Sequence, residues 1–187
     1  ITGFRLQADG AQGRFGVRPD LTTYGKIIGA GMPVGAYGGR RDVMEMVSPV
    51  GAVYQAGTLS GNPVAMAAGM AQLTILNSDP MYYEKLNEKG DWFFEELQKI
   101  VKNAGLPYQV NHIGSLGSLF FTDQEVVDYE SAKTSDTKAY AAYCNYMLNH
   151  GIYLAPAQFE AMFISMAHTS AQLEETLEVA ADYFQGR

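Results

Sequence analysis

The pattern of hydrophobic and polar positions differs between the two halves of the chain. Residues 1–20 are rich in glycine and lack periodicity, which predicts a long connection with Phe15 as its aromatic anchor. Short apolar runs at residues 26–28 and 34–37 predict two strands on either side of a turn, with Lys26 near that turn. Residues 64–76 carry no charge, which predicts a helix buried nearly all round, with Asn62 as its N-cap and Pro63 at its first position.

After the break at residues 77–80, amphipathic helices alternate with strands. Helical spacing predicts helices over residues 81–104, with Gly90 as a candidate interruption, over 137–150, and from a capping box between Thr169 and Gln172. Strands are predicted at residues 108–110, 113–122, 152–155 and 162–166. We therefore predict an α/β chain in which residues 1–78 belong to one domain and residues 79–187 form a small α+β domain.

Composition narrows the classes of partner. The net charge is −7 and the largest basic cluster is the pair Arg40 and Arg41, so nucleic acid and anionic membranes are poor candidates. No apolar stretch is long enough to span a membrane, and no group of His, Cys and Asp has metal-ligand spacing. The single cysteine, Cys144, lies at helical spacing among apolar residues, which indicates a core filler rather than a nucleophile. We expect a cytoplasmic protein, and, because the chain opens on Ile1, a piece of something longer.

Lys26 is the candidate catalytic residue. It is the only fully charged side chain between Asp20 and Arg40, and its neighbours are apolar residues and glycines. Desolvation without a counter-charge favours the neutral form of a lysine amine, which can attack an aldehyde or move protons. The alternative is an ordinary surface lysine in a tight turn between buried strands.

Gly57 and Thr58 lie just before the uncharged helix. Free backbone N–H groups, a hydroxyl and the positive end of a helix dipole together form a candidate phosphate site. The alternative is that Thr58 and Ser60 only help to cap the helix.

Two segments of the sequence resemble the class III, pyridoxal-phosphate-dependent aminotransferase family. They are TTYGKIIGAGMPVGA at residues 22–36 and GTLSGNP at residues 57–63. The resemblance implies the C-terminal part of a fold type I large domain followed by a small α+β domain. It also implies that Lys26 holds the cofactor and that Thr58, with Gly57 beside it, reaches the cofactor phosphate of the other subunit in a homodimer.

Within the family, the chain resembles the glutamate-1-semialdehyde 2,1-aminomutases along nearly its whole length. The matching segments are TGFR at residues 2–5, GVRPDLTT at 16–23, PVGAYGG at 33–39, VYQAGTLSGNP at 53–63, GIYLAP at 151–156 and QFEA at 158–161. Between Arg41 and Arg187 it lacks the arginine with which typical α-amino-acid transaminases hold a carboxylate. Glu160 matches a glutamate of the aminomutase substrate pocket, where its charge would repel a second acid; the alternative is a solvated loop acid. The resemblance implies conversion of glutamate 1-semialdehyde to 5-aminolevulinate with pyridoxal or pyridoxamine 5'-phosphate, and Lys26 as the proton carrier.

The resemblance also implies what lies outside these residues. The aspartate that partners the pyridine nitrogen would precede Ile1 by three residues, and the phosphate loop and stacking aromatic would lie further upstream, so we expect these residues alone to be nearly inactive. Glutamyl-tRNA reductase is an implied protein partner, and plastids an implied location in a plant or alga. Two alternatives stay open: a class III ω-aminotransferase, and a non-catalytic dimerisation or binding module.

Overall fold

The computed structural model describes residues 1–186. Two compact units form, Ile1–Tyr83 and a second that begins at Glu84. The first contains α1 (Gly10–Phe15), β1 (Leu21–Gly25), β2 (Gly35–Gly39), α2 (Arg41–Met44) and α3 (Pro63–Ser78), with 3-10 helices at Thr2–Arg5 and Lys26–Gly29. Helix α4 (Tyr82–Asn103) leads into the second unit, which adds β3 (Gln109–Ile113), β4 (Leu116–Phe120), α5 (Tyr129–Ala132), α6 (Thr137–Asn149), β5 (Met162–Phe163) and α7 (Ser170–Gln185).

The first unit contains an antiparallel hairpin of β1 and β2, in register from Leu21 opposite Gly39 to Gly25 opposite Gly35. The prediction of a strand at residues 26–28 is therefore wrong, because the strand ends before Lys26 and a 3-10 helix follows it. Lys26 and Ala30 have φ angles of 52° and 51°, and this left-handed backbone cannot continue an extended strand.

The aromatic anchor of the N-terminal segment is Phe4, and the prediction of Phe15 is wrong. Phe4 is 9% exposed, and its ring makes edge-to-face contacts with those of Tyr24 and Tyr83. The hydroxyl of Tyr83 also donates a hydrogen bond of 2.9 Å to the carbonyl oxygen of Phe4. Phe15 is 65% exposed at the end of α1, a helix that the glycine-rich sequence did not indicate.

Helix α3 begins as predicted but is not buried all round. The Asn62 side chain accepts hydrogen bonds from the backbone amides of Val64 and Ala65, and Pro63 occupies the first turn. Buried positions along α3 are Ala65, Gly69 and Leu76, while Val64, Met66, Met70 and Ile75 are exposed. An uncharged sequence favours burial of a helix, yet it does not specify which other segment packs against each face.

The second unit is built on one aromatic and aliphatic core. Helices α4, α6 and α7 and strand β4 contribute its largest fully buried side chains, which include Phe94, Leu97, Leu119, Tyr143, Met147 and Phe184. The predicted helices 81–104 and 137–150 are confirmed, and the predicted capping box between Thr169 and Gln172 starts α7. Cys144 is half-buried against this core, as predicted; burial raises the pKa of its thiol, which donates to the Ala155 carbonyl oxygen at 3.4 Å.

Three strands pair in the order β3-β4-β5, all antiparallel. The pairing of β4 with β5 is limited to Leu116 opposite Phe163 and Gly117 opposite Met162. The strand predicted at residues 152–155 is wrong, because this segment is an irregular loop that runs between α6 and β5. It begins after Gly151, whose φ of 84° ends α6 in a Schellman-type turn closed by the Ile152 amide.

Residues 1–186 include no helix that is both long and apolar enough to cross a membrane. The same residues include no group of three or more His, Cys, Asp or Glu side chains arranged to hold a metal ion.

Gly90 does not interrupt α4, which is continuous, but it lets the β3–β4 turn approach the helix. A Cβ at Gly90 would lie 2.5 Å from Ser115 Cα and closer still to the Gly114 carbonyl oxygen. We expect Gly90→Ala to destabilise the second unit by about 1–3 kcal/mol despite the higher helix propensity of alanine. Urea unfolding measures the change, and Glu88→Ala, at an exposed position of the same helix, should shift the unfolding free energy by less than about 0.5 kcal/mol. Equal stability of Gly90→Ala and the parent would contradict the close approach.

Candidate active site

The backbone at Lys26 adopts a strained conformation between the end of β1 and the 3-10 helix. Gly25 before it is extended, with φ of −173°, and Lys26 itself has φ of 52°. A non-glycine residue in the left-handed region costs on the order of 1–3 kcal/mol, and such residues concentrate at functional sites. The hairpin thus ends on a lysine in a conformation that sequence reasoning did not foresee, which favours a functional reading of the residue.

Close packing of α3 fixes the position of the 3-10 helix that begins at Lys26. A Cβ at Gly69 of α3 would lie 2.6 Å from the Ile28 carbonyl oxygen, so only glycine allows the two backbones to approach this closely. On the other side, a Cβ at Gly29 would lie 3.2 Å from the Val34 Cβ. The turn that carries Lys26 is therefore held between a long helix and the segment that leads into β2.

Lys26 lines an open cavity of about 460 Å³ together with Arg5, Ile27, Ala30, Gly31 and Gln72. The lysine is exposed, so the dry surroundings expected from its apolar sequence neighbours are not provided by this chain. No residue within 1–186 forms a hydrogen bond or ion pair with its amine. The amine therefore faces a cavity with no intramolecular partner among the described residues, which leaves it accessible to a ligand.

Two of the cavity residues, Arg5 and Gln72, were missed by the sequence analysis. Arg5 ends the 3-10 helix Thr2–Arg5, and burial lowers the pKa of its guanidinium. Gln72 lies in α3, where its amide interrupts an otherwise mostly apolar run. That polar group in the middle of an uncharged helix was the available signal, since a buried or half-buried amide requires a partner or a ligand.

The segment before α3 leaves Thr58 exposed and does not use it as a cap. The turn is closed by backbone hydrogen bonds from the Ser60 amide to the Gly57 carbonyl oxygen and from Asn62 to Leu59. Asn62 alone caps α3, with distances of 3.1 Å to both helix amides. The alternative in which Thr58 and Ser60 serve as caps is therefore wrong within the described residues. Gly57 and Thr58 also do not line the cavity of Lys26.

Glu160 belongs to the second unit and lies at the end of the irregular loop that precedes β5. It is exposed and lines a cavity of about 430 Å³ whose other walls include Tyr153, Leu154, His168 and Gln172. Burial raises the pKa of Tyr140, and Cys144, Tyr143 and the negative charge of Glu160 add to that shift. The Tyr140 hydroxyl donates a hydrogen bond of 2.8 Å to the Ala155 carbonyl oxygen in the same loop that carries Glu160.

Comparison with known proteins agrees with this fold. Residues 6–183 match the model of the family "Aminotransferase class-III". The chain therefore belongs to the class III aminotransferase family. Its fold is similar to the corresponding part of a β-phenylalanine aminotransferase from Variovorax paradoxus, with a TM-score of 0.92, 33% identity and 100% of this chain covered. A glutamate-1-semialdehyde aminomutase from Pseudomonas aeruginosa in complex with PMP matches with a TM-score of 0.82 at 21% identity, over 96% of this chain and 42% of that one.

Two curated relatives are more similar in sequence. Glutamate-1-semialdehyde 2,1-aminomutase 1 of Lachnoclostridium phytofermentans is 64% identical over 99% of this chain. The glutamate-1-semialdehyde 2,1-aminomutase of Alkaliphilus oremlandii is 60% identical over 95% of it. The chain spans 43% and 41% of the length of these two relatives, and 43% of the Variovorax structure. The predicted fold class is thereby confirmed, whereas the predicted homodimer and the contact with glutamyl-tRNA reductase stay predictions.

Proposed function

We propose that the protein containing this chain converts glutamate 1-semialdehyde to 5-aminolevulinate by intramolecular amino transfer. The observation that carries the proposal is the amine of Lys26, which lies on a strained turn and faces a cavity without a partner among the described residues. The names of the two curated relatives, both aminomutases, support the choice of reaction within the family.

The residues present fit pyridoxal or pyridoxamine 5'-phosphate. A cavity of about 460 Å³ lies within the size range of small-molecule sites, and it brings Lys26 together with a guanidinium and an amide. When bound, the cofactor supplies the electron sink of the reaction. Lys26 would hold the cofactor through Nζ and then move a proton between the cofactor carbon C4' and the substrate carbon.

Thr58 is proposed to anchor the cofactor phosphate of a partner subunit. Its hydroxyl is exposed, has no intramolecular hydrogen bond among the described residues and precedes the N-terminus of α3, where positive potential favours an anion. Because neither Gly57 nor Thr58 lines the cavity of Lys26 in the same chain, service to a second copy explains the arrangement. The proposed active form is therefore a homodimer.

Glu160 is proposed to exclude a second carboxylate from the substrate pocket. Residues 42–186 contain no arginine, so the bidentate clamp for an additional carboxylate is missing from this part of the protein. A carboxylate that lines a cavity repels a dicarboxylate more strongly than it repels the semialdehyde, which carries only one carboxylate.

A second candidate is transamination of an ω-amine or β-amino acid. The structural match to the β-phenylalanine aminotransferase, at 33% identity, favours it within the same family. The two reactions differ in stoichiometry, because transamination consumes a separate amino acceptor whereas amino transfer within one substrate does not. A non-catalytic binding module, the third alternative, would not form a covalent adduct with the cofactor.

The full-length protein should form 5-aminolevulinate from glutamate 1-semialdehyde with no added oxo acid. We expect Lys26→Ala to lower kcat by at least about 10²-fold, since proton transfer by a positioned group contributes that much, and to leave the fold intact. Borohydride reduction followed by mass spectrometry should place the cofactor on Lys26 in the parent. Lys102→Ala, an exposed lysine of α4, is the matched control and should keep full activity. Dependence on an oxo acid would favour the transaminase, and failure to label would favour the binding module.

Mixed dimers test the role of Thr58. Thr58→Val should weaken cofactor binding, and mixing it with Lys26→Ala subunits should restore activity, because one site of each mixed dimer then has both residues intact. Random pairing gives half mixed dimers with one intact site of two, so recovery should approach about a quarter of the parent rate. The rate of product formation after subunit exchange measures it. No recovery, or a fully active monomer, would show that Thr58 serves its own subunit.

Charge removal tests the role of Glu160. We expect Glu160→Gln to lower the ratio of aminomutase to 2-oxoglutarate-dependent transaminase turnover by about tenfold, because the repulsion of a second carboxylate is lost. Parallel assays of both reactions on each purified variant provide the ratio. Glu174→Gln removes the same charge at an exposed position of α7 and should leave the ratio unchanged. An unchanged ratio in Glu160→Gln would show that Glu160 is only a solvated acid of the loop.

A further inference from the structure

The loop that carries Glu160 contains one buried polar side chain, Gln158. Residues 152–161 have no regular secondary structure, and Phe159 and Glu160 on one side of Gln158 are exposed. Gln158 is only 3% exposed. A polar group is seldom buried to this extent unless its hydrogen bonds are satisfied, and its position two residues before Glu160 calls for an explanation.

Gln158 pairs with the C-terminal end of strand β4, at Leu119 and at Phe121 one residue beyond the strand, where β5 leaves the edge unpaired. On that edge the Ser115 carbonyl oxygen accepts a hydrogen bond from the Ile164 amide. Alternate residues of a strand direct their backbone groups to the same edge. Beyond Gly117 the pairing with β5 stops. The Gln158 carboxamide then accepts a hydrogen bond of 3.2 Å from the Phe121 amide through Oε1 and donates one of 2.7 Å from Nε2 to the Leu119 carbonyl oxygen.

The remaining restraints on the loop lie on either side of Gln158. The Ala155 carbonyl oxygen accepts hydrogen bonds from the Tyr140 hydroxyl at 2.8 Å and from the Cys144 thiol at 3.4 Å. The Glu160 amide closes a turn on the Ala157 carbonyl oxygen at 3.2 Å, which fixes the shape of that turn but does not attach it to the sheet. Of the hydrogen bonds described for residues 156–160, those of the Gln158 side chain are the ones that connect this turn to the sheet.

We propose that Gln158 is a positioning residue that sets the location of the Glu160 carboxylate by pairing its side-chain amide with β4. The proposal deepens the function proposed above and rests on it for the role of Glu160 in substrate selection. The required chemistry is specific to glutamine. A glutamate has no donor for the Leu119 carbonyl oxygen, a leucine satisfies neither backbone group, and an asparagine is shorter by one methylene.

A double-mutant cycle in the full-length holoenzyme tests this role. The variants are Glu160→Gln, Gln158→Leu and the double substitution, and the measured quantity is the ratio of aminomutase to 2-oxoglutarate-dependent turnover. Because Gln158 acts through Glu160, its effect is bounded by that of Glu160→Gln, and we expect Gln158→Leu to lower the ratio by up to about tenfold. If Gln158 acts through Glu160, the double variant falls no further than Glu160→Gln alone.

Gln98→Leu is the matched control. The Gln98 side chain, half-buried on α4, also hydrogen-bonds a strand amide, that of Val110 on β3, at 3.2 Å. The Gln98→Leu substitution should reduce stability about as much as Gln158→Leu does, and it should leave the selectivity ratio unchanged. Equal ratios in Gln98→Leu and Gln158→Leu, or effects of Gln158→Leu and Glu160→Gln that multiply in the double variant, would overturn the proposal. If Gln158→Leu does not fold, Gln158→Glu replaces it, because a glutamate keeps the shape of the side chain and its acceptor oxygen. If neither variant folds, Gln158 serves folding and the positioning role is rejected.

Amide hydrogen exchange separates this inference from the proposed function. In the holoenzyme, Gln158→Leu should speed exchange in residues 157–161 by about tenfold or more relative to Gln98→Leu, whatever reaction the protein performs. Fast exchange in a protein that lacks aminomutase activity would sink the proposed function and leave the attachment of the loop intact. Unchanged exchange in an active aminomutase would sink the inference and leave the function intact.

Discussion

The close approach of α3 to the turn at Lys26 is the contact on which the first unit depends. Gly69 has no side chain, so the Ile28 carbonyl oxygen lies where a Cβ would be, and the 3-10 helix that begins at Lys26 is held against a sixteen-residue helix. This packing explains how a lysine persists in a left-handed conformation, because strained backbone survives only where its surroundings over-determine it. The position of the Lys26 amine is thus a consequence of tertiary packing around a hairpin.

In the second unit, an irregular loop is held in place without being part of a strand. Its aromatic core on α4, α6 and α7 provides the rigid platform. From that platform Tyr140 and Cys144 reach the Ala155 carbonyl oxygen, and the edge of β4 receives the Gln158 amide. The loop can therefore expose Glu160 at a cavity while its backbone is tied at two separate points. Functional residues commonly lie on loops that a rigid scaffold positions in this way.

The exposed apolar surface of the first unit agrees with the coverage of its relatives. Met70 of α3 is 71% exposed and the cavity of Lys26 is open, although the residues next to Met70 and to Lys26 in the sequence are uncharged. The chain spans 43% of the length of the relative from Lachnoclostridium phytofermentans, so that relative contains residues that have no counterpart in this chain. Exposed apolar surface of this kind is typical of regions that contact other protein segments.

The sequence by itself determined the features that depend on residues within a few positions of one another. These are the helices of the second unit, the caps at Asn62 and Thr169, the Schellman-type end at Gly151 and the burial of Cys144. The candidate site residues were found largely by family resemblance. Tertiary structure alone decided the left-handed backbone of Lys26, the choice of Phe4 over Phe15 as anchor and the loop at residues 152–155. It also brought Arg5 and Gln72 to Lys26, and the Gln158 amide to β4. These features join residues that are far apart in the chain, and no local pattern of polarity specifies which distant backbone group or cavity a side chain will meet.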